Sequence, residues 1–153
     1  MDKPSIKALM CEIPHFDRLD DDELDIMAEY IDYQKVEAGN TLVKEGDMGE
    51  SLYYIISGEM EIQKEALDGR QAVLARFKKG ATVGEMAIIE QKSPRSATAV
   101  TLKETELLVL TRSRFDELSD SNPGIALKIT QNIANMISAR LRHTSGRFAD
   151  VYQ

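Results

Sequence analysis

The sequence predicts an α+β fold that is mainly β, in which short helices precede a region of about eight short strands and a long helix follows it. Three observations support this prediction. Glycines punctuate residues 33–111 and separate short β-prone runs, apolar residues recur at helical spacing before this region, and a longer helical pattern comes after it. The 153 residues favour a single domain over 1–153, which is large enough to bury one hydrophobic core.

Residues 5–31 are predicted to form the N-terminal helices. Asp20 and Glu23 occupy the N-cap and N3 positions of a helix start, where each side chain can accept the backbone N–H of the other residue. The helix that follows is expected to bury one face, because its apolar residues recur at helical spacing. These residues are Leu24, Met27, Ala28 and Ile31.

Short strands are predicted throughout residues 33–111. Met60 and Ile62 alternate with polar residues, as in a strand with one buried face, and Asp68-Gly69 is a typical hairpin turn. The clearest β-prone runs are 51–56, 59–63, 71–77, 97–102 and 106–110. So many short strands, separated by turn residues, indicate a sandwich, a roll or a barrel.

Residues 113–145 are predicted to form two C-terminal helices. Ser113 is expected to cap the first of them, which is short. Asn122-Pro123 predicts the start of the second helix, since an N-cap residue followed by proline at the first helical position is a strong start signal.

The last helix carries a long apolar stripe and is expected to end near Thr144 or Ser145. The stripe consists of Ile125, Ile129, Ile133, Ile137 and Leu141, widened by Ala126, Ala134 and Met136. A stripe of this length either lies along the β region or pairs with the same helix of a second chain. We favour the second interpretation and expect a homodimer through this helix.

The composition excludes several classes of protein. The formal net charge of −7 is poorly suited to non-specific nucleic-acid binding, so we expect no direct DNA binding. The only cysteine, Cys11, cannot form an internal disulfide, which fits a reducing compartment. No apolar segment approaches membrane-spanning length and no signal peptide is recognisable, so we expect a cytoplasmic protein without a membrane segment.

Residues typical of catalytic centres are scarce in this sequence. The two histidines, His15 and His143, are far apart and have no cysteine near them, so neither a metal site nor a cofactor is expected. Neither a P-loop nor a nucleophile elbow is present. We therefore expect that the protein is not an enzyme.

The segment 83–98 combines residues that can hold one phosphate group in an apolar setting. Arg95 offers a planar, permanently charged set of donors. Ser96 adds a hydroxyl donor and Ala97 a backbone amide. The short helical turn 86–89 would direct the backbone N–H groups of its N-terminus towards the phosphate.

Gly84 and Glu85 lie at the start of this segment. Gly84 has no Cβ and therefore allows the backbone to approach a ligand closely. The carboxylate of Glu85 would repel a phosphate, so its expected partner is an uncharged donor such as a sugar hydroxyl. Arg95 is expected to lie close to Glu85 and to balance its charge.

The order Gly-Glu-Met-Ala-Ile-Ile, a short gap and Pro-Arg-Ser-Ala-Thr resembles the phosphate-binding cassette of the cyclic nucleotide-binding domain family. Three other stretches, 44–47, 52–58 and 77–80, resemble the family's early strands and turns and its approach to the cassette. The resemblance covers nearly the whole chain. It implies an eight-stranded antiparallel β-roll, or jelly roll, flanked by short N-terminal helices and a long C-terminal helix.

The resemblance also implies a role for each residue of the cassette. Backbone contacts near the sugar-phosphate would come from Gly84, Met86 and Ala87. Glu85 would bind the ribose hydroxyl. The phosphate would be bound by Arg95, Ser96 and Ala97.

Residues 140–145 resemble the helix segment with which the bacterial catabolite activator proteins of this family cover the nucleotide base. By this resemblance Thr144 would contact the exocyclic amine of adenine, and Ser145 would reach the ligand bound by the other subunit. The expected ligand is therefore cyclic AMP. Cyclic GMP is the alternative, because Ser96 could also favour guanine.

Together these features predict a cyclic nucleotide sensor that signals through ligand-dependent movement of its C-terminal helix to an effector protein that the sequence does not identify. Two alternatives stay open. One is a scaffold or interaction module that has kept the β-roll and binds no nucleotide. The other is a regulatory domain excised from a larger channel, transporter or signalling protein.

Overall fold

A computed structural model describes residues 3–92 and 94–151. Within these residues eight antiparallel strands form two four-stranded sheets, which confirms the mainly β jelly roll. The strands are β1 (Asp32–Val36), β2 (Thr41–Val43), β3 (Ser51–Ser57), β4 (Met60–Glu65), β5 (Gln71–Phe77), β6 (Thr82–Val83), β7 (Thr98–Thr101) and β8 (Thr105–Thr111). The first sheet has the strand order β1-β8-β3-β6, and the second has the order β2-β7-β4-β5.

Helices flank the strands on the N-terminal and C-terminal sides, as predicted. Those in the described part of the chain are α1 (Lys3–Met10), α2 (Asp21–Ala28), α3 (Met86–Ile89), α4 (Arg112–Ser121) and α5 (Pro123–Val151), with a 3-10 turn at Pro14–Phe16. None of these helices is both long enough and apolar enough to cross a membrane.

The start of α2 has the capping geometry that the sequence predicts. The side chain of Asp20 accepts the backbone N–H of Glu23 at 2.9 Å, and the side chain of Glu23 accepts the backbone N–H of Asp20 at 3.1 Å. Glu23 also pairs with Lys128 of α5 at 2.7 Å. The N-terminal helices are thereby connected to the C-terminal helix.

Strand β3 is apolar on both faces because it separates two hydrophobic cores. Leu52, Tyr54 and Ile56 pack with the helices in one core. Ile55 points the other way and packs with Met60 in a core between the two sheets. This arrangement accounts for the nearly continuous apolar run of the sequence.

The predicted hairpin between β4 and β5 is confirmed. Its turn contains Gly69, with a φ angle of +86° that favours glycine. The register is irregular next to Ile62, which pairs with Ala75, while Gln63 pairs with Val73. Leu74 therefore has no partner in this register and is the extra residue of a β-bulge.

The N-cap of α4 is Thr111, and the prediction that Ser113 caps this helix is wrong. The Thr111 backbone is extended, and its hydroxyl accepts the N–H of Arg114 at 3.1 Å. Ser113 lies in the first turn, after the cap. Because β8 leads directly into α4, the last residue of the strand serves as the cap of the helix.

Helix α5 starts at Pro123, as predicted, but continues beyond Thr144 and Ser145. It runs through Gly146 to Val151 and has 29 residues. A glycine inside a helix costs only about 1 kcal/mol relative to alanine, so it does not by itself end a helix.

The apolar stripe of α5 is divided between two faces. Ile125, Ile129 and Ile133 are buried in the core that the helices share with the first sheet. Ala134 is exposed and Leu141 is 65% exposed, so they do not continue that buried face. Residues four apart advance around a helix by about 40° at each step, so a stripe with this spacing rotates away from the buried face and reaches solvent by Leu141.

Candidate functional site

A cavity of about 470 Å³ lies between the second sheet, the cassette and helix α5. This volume is within the range of small-molecule binding sites. The apolar lining includes Val43, Ile62, Leu74, Phe77, Val83 and Ala99, and the polar lining includes Glu85, Arg95, Ser96 and Arg140. Met60 of β4 is instead fully buried in the core between the sheets.

Gly84 marks the point where the cassette leaves the first sheet. Strand β6 pairs with β3 and ends directly before Gly84, which has a φ angle of +83°. A Cβ atom at this position would collide with the guanidinium of Arg95 and would lie 2.7 Å from the carbonyl oxygen of Ser51. Glycine is therefore required here both for the backbone conformation and for the space that Arg95 occupies.

The guanidinium of Arg95 is half-buried and donates to two backbone carbonyls. Nη2 lies 2.9 Å from the oxygen of Ser51, and Nη1 lies 3.4 Å from the oxygen of Gly84. Gly49 belongs to the same surroundings, because a Cβ there would lie 2.9 Å from the guanidinium. The sequence analysis did not identify Gly49, which carries no signal other than its place in a turn-rich segment.

The backbone of Arg95 is fixed by the turn between β2 and β3. Its N–H donates to the oxygen of Asp47 at 2.7 Å, and its own oxygen accepts the N–H of Gly46 at 2.9 Å. The preceding residue, Pro94, pairs with Met48 in an isolated β-bridge. The turn after β2 thus determines where the arginine enters the cavity.

Within the residues that the structure describes, both hydrogen-bond acceptors of the Arg95 guanidinium are neutral carbonyls, and Glu85 is near enough only to act on its charge at longer range. Burial lowers the pKa of Arg95 below its ordinary value, because desolvation disfavours the charged form. A partly desolvated cation of this kind favours an anion as its additional partner.

Glu85 is paired with Arg140 of α5, a partner that the sequence analysis did not expect, while the charge of Glu85 also acts on Arg95 without a hydrogen bond between them. Nη1 of Arg140 donates to Oε1 of Glu85, whose side chain is 13% exposed. Oε2 of Glu85 lies 3.4 Å from the hydroxyl of Thr82. The guanidinium of Arg140 also lies over the ring of Phe77, 5.2 Å from its centroid.

Helix α3 follows Glu85 at the predicted place. Met86 lines the cavity, and Ala87 lines it with a buried side chain. The N–H of Ala87 donates to the oxygen of Gly84 at 3.0 Å, so this amide already has an acceptor within the turn. The backbone contacts expected from Gly84, Met86 and Ala87 stay a prediction.

Ser96 and Ala97 lie beside Arg95 in the lining of the cavity, as predicted. Ser96 is exposed and Ala97 is half-buried. The carbonyl oxygen of Ser96 accepts a hydrogen bond from Lys64 of β4 at 2.7 Å. The structure therefore brings Gly84, Glu85, Met86, Ala87, Arg95, Ser96 and Ala97 together around one cavity.

Thr144 and Ser145 are outside the lining of the cavity. Both are exposed, and the hydroxyl of Thr144 donates to the carbonyl oxygen of Arg140 at 3.0 Å. This bond within the helix is common for threonine and serves no ligand. The contacts with the base that were expected of these two residues stay a prediction.

Arg140 is a charged residue of the lining to which the sequence analysis assigned no role of its own. Its partner Glu85 is 55 positions away, so no local pattern connects them. The one available signal was its position four residues before Thr144, which places the two on the same side of the helix.

The fold and the site together define a β-roll domain in which a partly desolvated cation and a separate carboxylate face a cavity for a small molecule. The comparison with known families identifies it further. The chain belongs to the cyclic nucleotide-binding domain family, which matches residues 33–122, more than half of its length.

Individual relatives and solved structures agree with this assignment. The cyclic AMP receptor protein of Thermus thermophilus is 32% identical over 129 residues, which are 84% of this chain and 57% of that protein. A lysophospholipase of Neurospora crassa is 31% identical over 112 residues, 73% of this chain but only 7% of the relative. The structure is similar to a cyclic nucleotide-binding domain from Methylobacillus flagellatus KT, with a TM-score of 0.83 and 26% identity, covering 97% of this chain and 83% of that one.

Proposed function

We propose that the protein is a cyclic nucleotide sensor that binds cyclic AMP and acts by binding, without catalysing a reaction. The observation that carries this proposal is the partly desolvated guanidinium of Arg95, which faces the same cavity as the carboxylate of Glu85. A cyclic nucleotide presents one negative charge and a ribose hydroxyl, and these match the two groups. The name of the Thermus thermophilus relative supports cyclic AMP as the ligand.

The phosphate is proposed to bind Arg95, Ser96 and the amide of Ala97. The ribose hydroxyl donates to Glu85. Since Arg140 uses Oε1 of Glu85 and a carboxylate has room for several hydrogen bonds, Oε2 is available to the ribose while Arg140 stays bound. In this arrangement Arg140 orients the carboxylate for the ligand.

Movement of α5 is the proposed output. Arg140 lies on α5 and Glu85 in the cassette, so any change in the position of Glu85 on binding acts directly on the helix. A ligand that binds one position of the helix more tightly shifts the population towards that position. The effector that receives this movement is proposed to lie outside residues 1–153, in another protein or in another part of a longer protein. The chain spans only part of the length of the relatives that it matches.

Thr144 and Ser145 are proposed to contact the base once the ligand is bound. They lie about one helical turn after Arg140, which already lines the cavity. The exposed end of α5 therefore has to come closer to the cavity, or a second chain has to supply these residues. Cyclic GMP stays the alternative ligand, because Ser96 could also favour guanine.

A homodimer through α5 is proposed on a face that keeps Ala134 and Leu141 of the predicted stripe and adds Leu127. Leu127, Ala134 and Leu141 are exposed and follow one another at intervals of seven residues, the spacing of a coiled-coil seam. The buried isoleucines of α5 are used within the chain itself. We further propose that residues 1–153 act as one unit in the cytoplasm.

A thermal-shift panel with isothermal titration calorimetry tests the proposed function. Cyclic AMP is expected to raise the melting temperature most, because a ligand that binds only the native state stabilises it in proportion to occupancy. Cyclic GMP should act less strongly. Adenosine, which lacks the phosphate, is the matched control and should have no effect. Absence of a shift with either cyclic nucleotide would favour the scaffold alternative.

A further inference from the structure

The C-terminal end of α3 is bound by an arginine that belongs to α4. Nη1 of Arg112 lies 3.0 Å from the carbonyl oxygen of Ile88, 3.1 Å from that of Glu90 and 3.5 Å from that of Ala87. A helix leaves the carbonyls of its last turn without intrahelical partners, and Arg112 supplies a partner to three carbonyls at this end. Its positive charge is also favourable at the negative end of the helix dipole.

Arg112 is itself held in place from two directions. Its Nε donates to Oδ1 of Asp116 at 3.1 Å, and its backbone N–H donates to the oxygen of Glu50 at 2.8 Å. Glu50 directly precedes Ser51, whose carbonyl accepts Nη2 of Arg95. The side chain of Arg112 is 29% exposed, so its contacts are partly shielded from water.

Helix α4 is firmly packed against the start of α5. Phe115 and Leu118 of α4 lie in one buried core with Ile125 and Ile129 of α5. Ile88 of α3 reaches the same core. A displacement of α4 is therefore passed on to α5 by close packing.

We propose that Arg112 is a positioning residue through which α3 and the pair of helices α4 and α5 move together when the cavity is filled. This inference rests on the proposed function, because the movement begins with a ligand at the cassette. Contacts at Gly84–Ala87 displace α3, and the carbonyls at the other end of α3 carry the displacement to Arg112. The Glu85–Arg140 pair is a second connection, which reaches a later part of the same helix.

Three variants test this inference. Arg112→Met removes the contacts with the three carbonyls, and Arg112→Lys keeps the charge but can bond fewer of them. Arg114→Met is the matched control, because it removes the same charge two residues further along α4. Arg114 pairs with Glu117 at 3.2 Å and lies over the ring of Tyr30, so its described contacts are away from α3.

Hydrogen exchange of ligand-free protein is the first measurement. In Arg112→Met the amides of α3, including that of Glu90, should exchange about tenfold faster, the change expected when a charge-assisted hydrogen bond is lost. Arg114→Met should exchange like the unaltered protein. Arg112→Lys should be intermediate, and it replaces the methionine variant if that one fails to fold.

Cyclic AMP is then added as the probe. Arg112→Met should bind it about tenfold more weakly than Arg114→Met. In the unaltered protein the ligand should slow exchange in both α3 and α4, whereas in Arg112→Met the slowing in α4 should be clearly smaller than that in α3, because only the packing of Ile88 and the Glu85–Arg140 pair then connect the cassette to the C-terminal helices. A merely structural role for Arg112 would leave the ratio of the two effects unchanged.

Equal affinity in Arg112→Met and Arg114→Met, with α4 protected by ligand to the same extent in both, would overturn the inference. So would unchanged exchange of α3 in ligand-free Arg112→Met. If the unaltered protein binds neither cyclic AMP nor cyclic GMP, the proposed function fails and, with it, the ligand-driven movement. In that case faster α3 exchange in Arg112→Met still supports the structural part, that Arg112 holds α3.

Discussion

Arg95 and Arg140 line the same cavity but have different hydrogen-bond partners. Arg95 donates to two backbone carbonyls, whereas Arg140 pairs with the carboxylate of Glu85. Arg95 stands in a segment bonded to the turn after β2, while Arg140 stands on helix α5. In the proposed function, this difference leaves the charge of Arg95 for an incoming anion, whereas Arg140 connects the cavity to α5.

Replacing Arg95 is expected to have the largest effect. Arg95→Met should weaken cyclic AMP binding by about 2–5 kcal/mol, because the bound anion would then be buried without a charged partner. Arg95→Lys keeps the charge without the planar set of donors and should fall in between. Isothermal titration calorimetry measures both. Unchanged affinity in Arg95→Met would contradict the role of Arg95 as the anion partner.

Replacing Glu85 tests the carboxylate that lies in the same cavity as Arg95 and pairs with Arg140. Glu85→Gln should weaken cyclic AMP binding by about 1.5–3 kcal/mol, since it removes a charged acceptor from the ribose hydroxyl. The 2′-deoxy analogue of cyclic AMP lacks that hydroxyl and is the matched control ligand. Its affinity should be nearly the same for both proteins. A loss of equal size for both ligands would mean that Glu85 acts elsewhere.

Replacing Arg140 should have a smaller effect than either of these changes. Its side chain is 39% exposed, so Arg140→Met should weaken cyclic AMP binding by about 1 kcal/mol or less. Arg142→Met is the matched control, because Arg142 bonds Ser138 within the exposed part of α5. Titration of both variants measures the difference. Equal losses in the two would show that net charge, and not the contact with Glu85, is what matters.

The smallest expected effect is the pH dependence that His15 gives to folding stability. His15 lies near Arg140, whose charge influences its titration. Its Nε2 lies 3.1 Å from the carbonyl oxygen of Gly80, and burial, followed by the nearby charge of Arg140, lowers its pKa. Below the ordinary value of 6.5 the unfolded chain takes up the proton first, so the folded state loses stability as the pH falls.

Urea unfolding between about pH 7.5 and pH 5.5 measures this loss, which should stay below about 1 kcal/mol because His15 is only half-buried. The carboxyl groups with lowered pKa values, Glu23, Glu45 and Asp68, titrate below this window. His15→Asn should be less sensitive to pH in the same range. An identical dependence in both proteins would assign it to other groups.

The parts of the structure that the sequence predicts well depend on local signals. The capping pair of Asp20 and Glu23 and the turn glycine Gly69 each specify a geometry within a few residues. The cassette is also local, because Gly84 and Arg95 are separated by one short helix and a loop. These features follow from backbone freedom, hydrogen bonding and side-chain chemistry over short distances.

The parts that the sequence does not predict depend on tertiary packing. The pairing of Glu85 with Arg140 joins a loop to a helix 55 positions later. The exposure of Leu141 follows from the rotation of its helix relative to the core, which residue spacing at intervals of four conceals. Whether Thr144 meets a ligand depends on where the end of α5 lies, and no local pattern determines that.

The length of α5 gives small displacements a large reach. Its 29 residues extend about 44 Å, and Ile137 is the last of them that packs partly against the main core. Arg140 still contacts Glu85, and the residues after it, 141–151, extend about 16 Å further along the helix. A tilt of about 5° at Arg140 would move the end of the helix by about 1.4 Å, so an adjustment at the cavity too slight to disturb the core becomes larger at the far end of α5.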